Sequence, residues 1–175
     1  MTTPGSAPGT DSPVEGPRLS AAQVWRQLGR SSFAVISYTT PAGEPRSSGV
    51  LYACAEGRLY VVVAAEGWKA RHITTGAPVA VTVPVRRGGI LALLAPIPPA
   101  TISFHGTAKV GPGGTAFSGS VPTALARLLP TERRDTSVII EIAPLGRFVT
   151  YGIGTSLARM RHPAAARATA PVRGS

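Results

Sequence analysis

The chain has 175 residues, of which 43% are hydrophobic, so a single domain with a substantial core is expected. The formal net charge of +10 leaves nucleic acid, a membrane surface or an anionic ligand as candidate partners. The single cysteine, Cys54, excludes an internal disulfide framework, and no apolar run approaches the roughly 20 residues that span a bilayer. We therefore expect a cytoplasmic protein that does not enter the membrane.

Residues 1–18 form a segment rich in glycine and proline without apolar periodicity. This composition predicts a disordered leader, and the segment lacks the basic and apolar regions of a signal peptide. The folded domain is predicted over residues 19–155, starting with a helix that Ser20 caps. Gln23 stands three residues after Ser20, which is the capping-box spacing.

β-Branched and aromatic runs separated by short turns predict a series of strands. The first three, joined by the turns "PAGEP" and "AEGR", are expected to form an antiparallel meander. The predicted strands are 32–40, 46–54, 58–65, 78–85, 101–110 and 136–144, with 146–154 as a seventh strand or an extension. Short helices are predicted near 68–75 and 121–130. Six or seven short strands with few helices favour a β-barrel or a β-sandwich.

Two segments do not fit this strand pattern. The apolar insertion 86–100 is interrupted by prolines and is predicted to cover a substrate pocket. Residues 156–175 contain several arginines and no acid, and they are predicted to be a basic flexible tail.

The sequence contains no pattern for side-chain catalysis. There is no G-x-S-x-G motif, no paired histidine or cysteine spacing for a metal, and no phosphate-binding glycine-rich loop. The three histidines, His72, His105 and His162, are far apart in the sequence. Neither a catalytic side chain nor a metal site is therefore predicted.

The stretch "AAEGWKARHITTGAPVAVTVPV", residues 64–85, concentrates cations between two strands. In a meander, Lys69 and Arg71 could approach Arg46, Ser47 and Ser48 at the start of the second strand. Two or three cations with hydroxyl groups suit a phosphate through charge-assisted hydrogen bonds. From the residues alone, an anion cradle and an ordinary solvated turn both remain open.

The motifs "AGEP", "EGRLYVVV", "KARHI" and "GAPVAV" occur in this order within residues 30–150. This order resembles the flavin-binding split-barrel family, which includes pyridoxamine 5'-phosphate oxidase and oxidoreductases that use FMN or the deazaflavin coenzyme F-420. The resemblance implies a mainly β fold, a six- to seven-stranded antiparallel split β-barrel with a few short helices. It also implies a homodimer with the cofactor in a groove at the interface.

The resemblance assigns cofactor-binding roles to particular residues. Lys69 and Arg71 correspond to the phosphate-binding pair of the family, and Trp68 precedes them. The strand that lines the ring system corresponds to Arg46, Ser47, Ser48, Gly49 and Val50, with Val62, Val63 and Ala64 on the adjoining strand. His72 replaces the usual asparagine, and "RFVTYGIGTSLARMRHP" differs from the C-terminal substrate motif of the oxidase, which argues against vitamin B6 oxidation.

The predicted function is an oxidoreductase in which FMN or coenzyme F-420 exchanges hydride with a small organic substrate. The alternatives are a non-catalytic flavin or haem carrier of the same fold, and a basic β-barrel that binds nucleic acid. The nucleic-acid reading has less support, because aromatic residues make up only 6% of the chain and form no stacking platform among the cations.

Overall fold

The computed structural model describes residues 18–86, 100–117, 119–156, 160 and 162–173. The strands are β1 Phe33–Thr39, β2 Pro45–Ala55, β3 Arg58–Ala64, β4 Pro78–Val85, β5 Ala100–Pro112, β6 Ser137–Tyr151 and β7 Arg167–Pro171. The helices are α1 Ala21–Arg30, α2 Trp68–His72, α3 Val121–Leu125 and α4 Pro163–Ala166, with a 3-10 turn at Thr131–Arg133. The predicted leader, apart from Arg18, and most of the insertion 86–100 lie outside the described residues.

Helix α1 begins with the predicted capping box. The Ser20 hydroxyl oxygen accepts a hydrogen bond from the Gln23 N–H at 3.3 Å, and the Gln23 side-chain oxygen accepts one from the Ser20 N–H at 2.8 Å. These two bonds satisfy backbone donors that a helix N-terminus otherwise leaves unpaired. Val24 and Leu28 are fully buried, so this helix covers the main core.

Six strands close into an antiparallel barrel in the order β3-β2-β1-β4-β5-β6, and β6 pairs back with β3. β7 adds a seventh strand beside β6. The predicted six- to seven-stranded antiparallel barrel is therefore confirmed, as is the meander of β1, β2 and β3. The interior is filled by alternate strand residues, among which Tyr52 and Phe148 are the largest that are almost fully buried.

Part of the predicted flexible tail, residues 156–175, forms regular secondary structure. Within it, Pro163–Ala166 form α4 and Arg167–Pro171 form β7. Alternate residues of this strand, and the valine just after it, are buried: Ala168, Ala170 and Val172. The Trp25 indole N–H also donates to the Val172 carbonyl at 2.9 Å, which attaches this segment to α1.

Candidate functional site

The barrel opens between β2 and β3. These two strands pair only at one end, where Tyr52 lies opposite Val61 and Ala55 lies opposite Arg58. Beyond that point the first half of β2 pairs only with β1, while Val62–Ala64 pair only with β6. The two strands diverge, and a cavity of about 790 Å³ lies between them. This volume falls within the range of roughly 300–1,000 Å³ that is typical of ligand pockets.

Three parts of the chain form the walls of this cavity, which we call the split cavity. The β2 wall consists of Gly49, Val50 and Leu51, and the β3 wall of Val62, Val63 and Ala64. The turn into α2 contributes Glu66, Gly67, Trp68 and Lys69. The segment between α3 and β6, together with the first residue of β6, contributes Arg127, Leu128, Pro130, Arg133, Thr136 and Ser137. The two strand walls are mainly apolar, and the polar groups lie on the turn and on the segment.

A small second core holds the α3–β6 segment against the barrel. Leu125 and Leu129 are buried there together with Tyr60 of β3. The Glu56 carboxylate accepts a hydrogen bond from the Ser120 N–H at 2.9 Å, just before α3. Further along, the Ala65 N–H donates to the Thr136 carbonyl at 2.9 Å. The segment is therefore attached at both ends, and this brings its arginines to the split cavity.

The charged side chains of the split cavity are mainly cationic. Lys69, Arg127 and Arg133 line it together with one carboxylate, Glu66. Within the described part of the chain, the ion pairs are Arg46 with Glu44 and Arg58 with Glu141, so these three cations take part in none. A cavity with apolar walls and unpaired cations suits a ligand that joins a flat apolar body to an anionic group.

Part of the residue set predicted from the sequence lines the split cavity: Gly49, Val50, Val62, Val63, Ala64, Trp68 and Lys69. Four predicted residues do not line it: Arg46, Ser47, Ser48 and Arg71. Arg46 forms an ion pair with Glu44 at 2.6 Å, and the Ser47 hydroxyl lies 2.6 Å from the Ser37 hydroxyl. Arg71 lies exposed on α2. The expected meeting of Lys69 with Arg46, Ser47 and Ser48 in one cradle is therefore not seen.

The sequence reasoning missed Arg127 and Arg133. The helix near 121–130 was predicted, and Arg127 stands within it, but no local pattern indicates which distant strand a helix approaches. The available signal is compositional, since this part of the chain contains several cations. Among the described residues, no group of three or more His, Cys, Asp or Glu side chains could hold a metal ion. No described helix is long and apolar enough to cross a membrane.

Trp68 stands at the centre of an aromatic group beside the split cavity. Its ring stacks on Tyr38 with centroids 6.2 Å apart and an interplanar angle of 30°. The His72 ring lies 6.2 Å away on the same helix, and the Lys69 ammonium lies 4.5 Å from the indole centroid. Trp68 is 40% exposed despite these contacts, so part of this large aromatic side chain remains accessible to solvent.

No protein-family profile and no curated protein sequence matches this chain. Solved structures that resemble it include General Stress Protein 26 from Bacillus anthracis str. Sterne, with a TM-score of 0.51, 17% identity, and coverage of 74% of this chain and 92% of that one. A heme binding protein from Mycobacterium smegmatis gives a TM-score of 0.55 at 16% identity, over 89% of this chain and 60% of that one. An FAD binding protein from the same organism gives 0.53 at 13% identity, over 72% and 90%.

At these identities the likeness concerns the fold alone. The split-barrel fold that the sequence resemblance implied is confirmed. The divergence of β2 from β3 is the split in the barrel. The chain therefore has the split β-barrel fold of the pyridoxamine 5'-phosphate oxidase-like proteins.

Proposed function

We propose that this protein binds FMN or coenzyme F-420 in the split cavity and acts as an oxidoreductase on a small organic substrate. The observation that carries the proposal is a cavity of about 790 Å³ with apolar strand walls and three cations, Lys69, Arg127 and Arg133, that form no ion pair with another described residue. Both cofactors combine a flat ring system with an anionic chain, and the cavity offers complementary surfaces to both parts.

The bound cofactor would supply hydride transfer, so the chain needs no strong acid or base of its own. Val50 and Leu51 on one wall, with Val62 and Val63 on the other, would hold a ring system and exclude water. Lys69 and Arg133 would bind the phosphate by charge-assisted hydrogen bonds, each contributing about 1.5–3 kcal/mol. The FAD binding and heme binding proteins that share the fold support a cofactor-binding role.

We also propose that two copies pair through the outer face of the barrel. Four of the large exposed hydrophobic residues lie on its strands: Phe33, Leu51, Leu145 and Val149. Between them, Val35, Thr82 and Ser103 lie side by side across β1, β4 and β5. Leu51 also lines the split cavity, so a partner on this face would close the cavity from outside.

A titration of the purified protein with FMN, coenzyme F-420, FAD and haemin at moderate salt tests the cofactor. We expect tight binding of FMN or of F-420, seen as a change in cofactor fluorescence. Binding without turnover of any tested substrate would favour a carrier. Binding of no cofactor, together with strongly salt-dependent DNA binding, would contradict the proposal and favour the nucleic-acid reading.

Matched variants test the anchoring cations. Lys69→Ala and Arg133→Ala should each weaken binding about tenfold, which corresponds to roughly 1.4 kcal/mol. Lys109→Ala and Arg134→Ala are the controls, because Lys109 and Arg134 are exposed and do not line the split cavity. Arg71→Ala should have a smaller effect than Lys69→Ala. Unchanged affinity in both Lys69→Ala and Arg133→Ala would remove the anchor assignment.

A further inference from the structure

A second cavity, of about 310 Å³, lies beside α3, and we call it the α3 cavity. One wall is the loop at the end of β5, residues 113–117. The other wall belongs to α3 and the segment after it: Pro122, Leu125, Ala126, Leu129 and Arg134. None of these residues lines the split cavity. The volume is at the lower end of the range for ligand pockets, so the α3 cavity has room only for a small molecule.

The loop of residues 113–117 is held at both of its ends. The Gly113 N–H donates to the Ser137 carbonyl at 2.8 Å, and a Cβ at Gly113 would overlap the Arg134 carbonyl oxygen. At the other end, the Phe117 ring packs edge-to-face against the buried Tyr60 ring, with centroids 5.6 Å apart. Between these two contacts the loop has only small residues: Gly114, Thr115 and Ala116. The α3 cavity is the space that these small residues leave open.

The walls of the α3 cavity are apolar except for one cation. Phe117 and Leu129 supply carbon surface, and Arg134 is the one charged side chain among the described residues that line the cavity. Arg134 forms no ion pair with another described residue, and the neighbouring acids Glu132 and Asp135 do not line the cavity. A guanidinium matches a carboxylate through two parallel N–H···O bonds. A single cation therefore suits one carboxylate better than a phosphate dianion.

We propose that the α3 cavity binds a small molecule that joins an apolar body to a single carboxylate group. The apolar body lies on Phe117, Leu125 and Leu129, and Arg134 pairs with the carboxylate. A medium-chain fatty acid and a small aromatic acid both have this chemistry. This site is separate from the split cavity, and it does not depend on the proposed function.

The same segment of the chain borders both cavities. Arg133 lines the split cavity and Arg134 the α3 cavity, and Leu128 and Leu129 divide between them in the same way. Residues 130–136 are all exposed, so few packing contacts restrict this segment. A ligand in the α3 cavity adds contacts to the segment and lowers the ordering cost when a cofactor binds to Arg133. We therefore expect each ligand to raise the affinity of the protein for the other.

Calorimetric titration with octanoate and with 1-octanol, which has the same chain without the charge, tests the site. The wild type should bind octanoate. Arg134→Ala should weaken octanoate binding about fivefold, as expected for an ion pair at an exposed side chain, and leave 1-octanol binding unchanged. No binding of octanoate to the wild type, or equal binding to Arg134→Ala, would overturn the proposal.

A second variant fills the cavity from the side of α3. Ala126 is exposed and lines the α3 cavity, so Ala126→Leu should keep the melting temperature of the wild type and lose the binding of both compounds. An Ala126→Leu variant that melts like the wild type and still binds octanoate would contradict the site.

Arg133→Ala is the matched control, because the split cavity also offers octanoate apolar walls and cations. Octanoate affinity should be unchanged in Arg133→Ala, although Arg134 is the next residue in the chain. Weaker octanoate binding in Arg133→Ala, without a loss in Arg134→Ala, would place octanoate in the split cavity and overturn the proposal.

Titration with FMN or coenzyme F-420 in saturating octanoate tests the link between the cavities. The cofactor affinity of the wild type should rise about fivefold, and that of Ala126→Leu should not change. An unchanged affinity in the wild type would overturn the link, and a fall that Ala126→Leu retains would show competition in the split cavity and overturn the site. If neither cofactor binds but octanoate binding depends on Arg134, the proposed function fails and the α3 cavity stands as a carboxylate site.

Discussion

Cys54 of β2 packs against the main core, where its thiol is shielded from water. Burial raises the pKa of this thiol from 9.0 to about 11, because the thiolate loses hydration. Between these two pH values the unfolded chain has lost the thiol proton while the folded chain keeps it. The thiol contribution to stability is therefore complete below pH 9 and is lost as the pH rises through about 11.

The same shift predicts a slow reaction of Cys54 with alkylating agents. At pH 8 a pKa of about 11 leaves roughly a hundredfold less thiolate than an unshifted thiol has, and only the thiolate reacts. Alkylation by iodoacetamide, followed by mass spectrometry, should be about a hundredfold slower in the native protein than in denaturant. A native rate equal to the rate in denaturant would show that the thiol is exposed.

At the scale of elements, the first five strands were predictable to within two residues because each contains its own β-branched or aromatic run, and short turns also delimit the first three. Gly43 and Gly57 take positive φ values of 84° and 70° in the two hairpin turns, which matches the glycines in "PAGEP" and "AEGR". β6 was predicted as one strand with a possible extension, and it runs without interruption through Pro144 and Gly146. The register of β5 with β6 shifts between Ser103 and His105, and this irregularity accommodates the break that the sequence suggests.

β7 was missed for a different reason. Its buried positions are alanines, whose side chains are too small to give a strand-like hydrophobic alternation, and prolines and arginines surround them. β7 forms because the segment pairs with β6, as Thr169 does with Val149. The β-propensity of the segment itself does not account for the strand. Local sequence therefore predicts the strands that have a hydrophobic alternation of their own. It misses a strand such as β7, which depends on pairing with the neighbouring strand.

The close approach of β5 to β6 predicts that Gly106 tolerates no side chain. A Cβ at Gly106 would overlap the Ala143 carbonyl oxygen, and it would lie 3.2 Å from the Pro144 Cα atom. Because backbone atoms must then move, Gly106→Ala should destabilise the fold by about 1–3 kcal/mol in denaturant unfolding.

Gly29 provides the matched control in α1. A Cβ there meets no atom within 4 Å, so Gly29→Ala should leave stability unchanged or raise it by roughly 0.5–1 kcal/mol through helix propensity. Equal effects of the two substitutions would contradict the packing of β5 on β6.

At the scale of the whole molecule, the sequence indicated the walls of the split cavity that β2, β3 and α2 form. It did not indicate the wall that the segment between α3 and β6 forms. The β2, β3 and α2 residues follow each other in the chain, so a meander already places them together. Arg127 and Arg133 reach the cavity only because β3 pairs with β6, which begins more than 70 residues after β3 ends. No periodicity specifies which distant strand closes a barrel, and the resemblance gave no residue of this segment.

The proposed dimer requires the outer face of the barrel to be buried between two copies, and a substitution on this face tests it. Val149 is 42% exposed, lies on this face and does not line the split cavity. Val149→Glu would place a carboxylate in an apolar interface, whose desolvation is unfavourable without a partner. In sedimentation, the wild type should have twice the chain mass of 18.0 kDa and Val149→Glu should be monomeric.

Ala22→Glu adds the same charge to the exposed first turn of α1, where no large hydrophobic residue is exposed, and it should stay dimeric. If the partner closes the split cavity beside Leu51, Val149→Glu should also weaken cofactor binding although it changes no cavity residue. A monomeric wild type, or a Val149→Glu variant that remains dimeric, would contradict the pairing of two copies through this face. If Val149→Glu is monomeric and binds the cofactor with full affinity, the cofactor site lies within one chain. Lys69 and Arg133 of that chain would then bind the cofactor without a partner subunit.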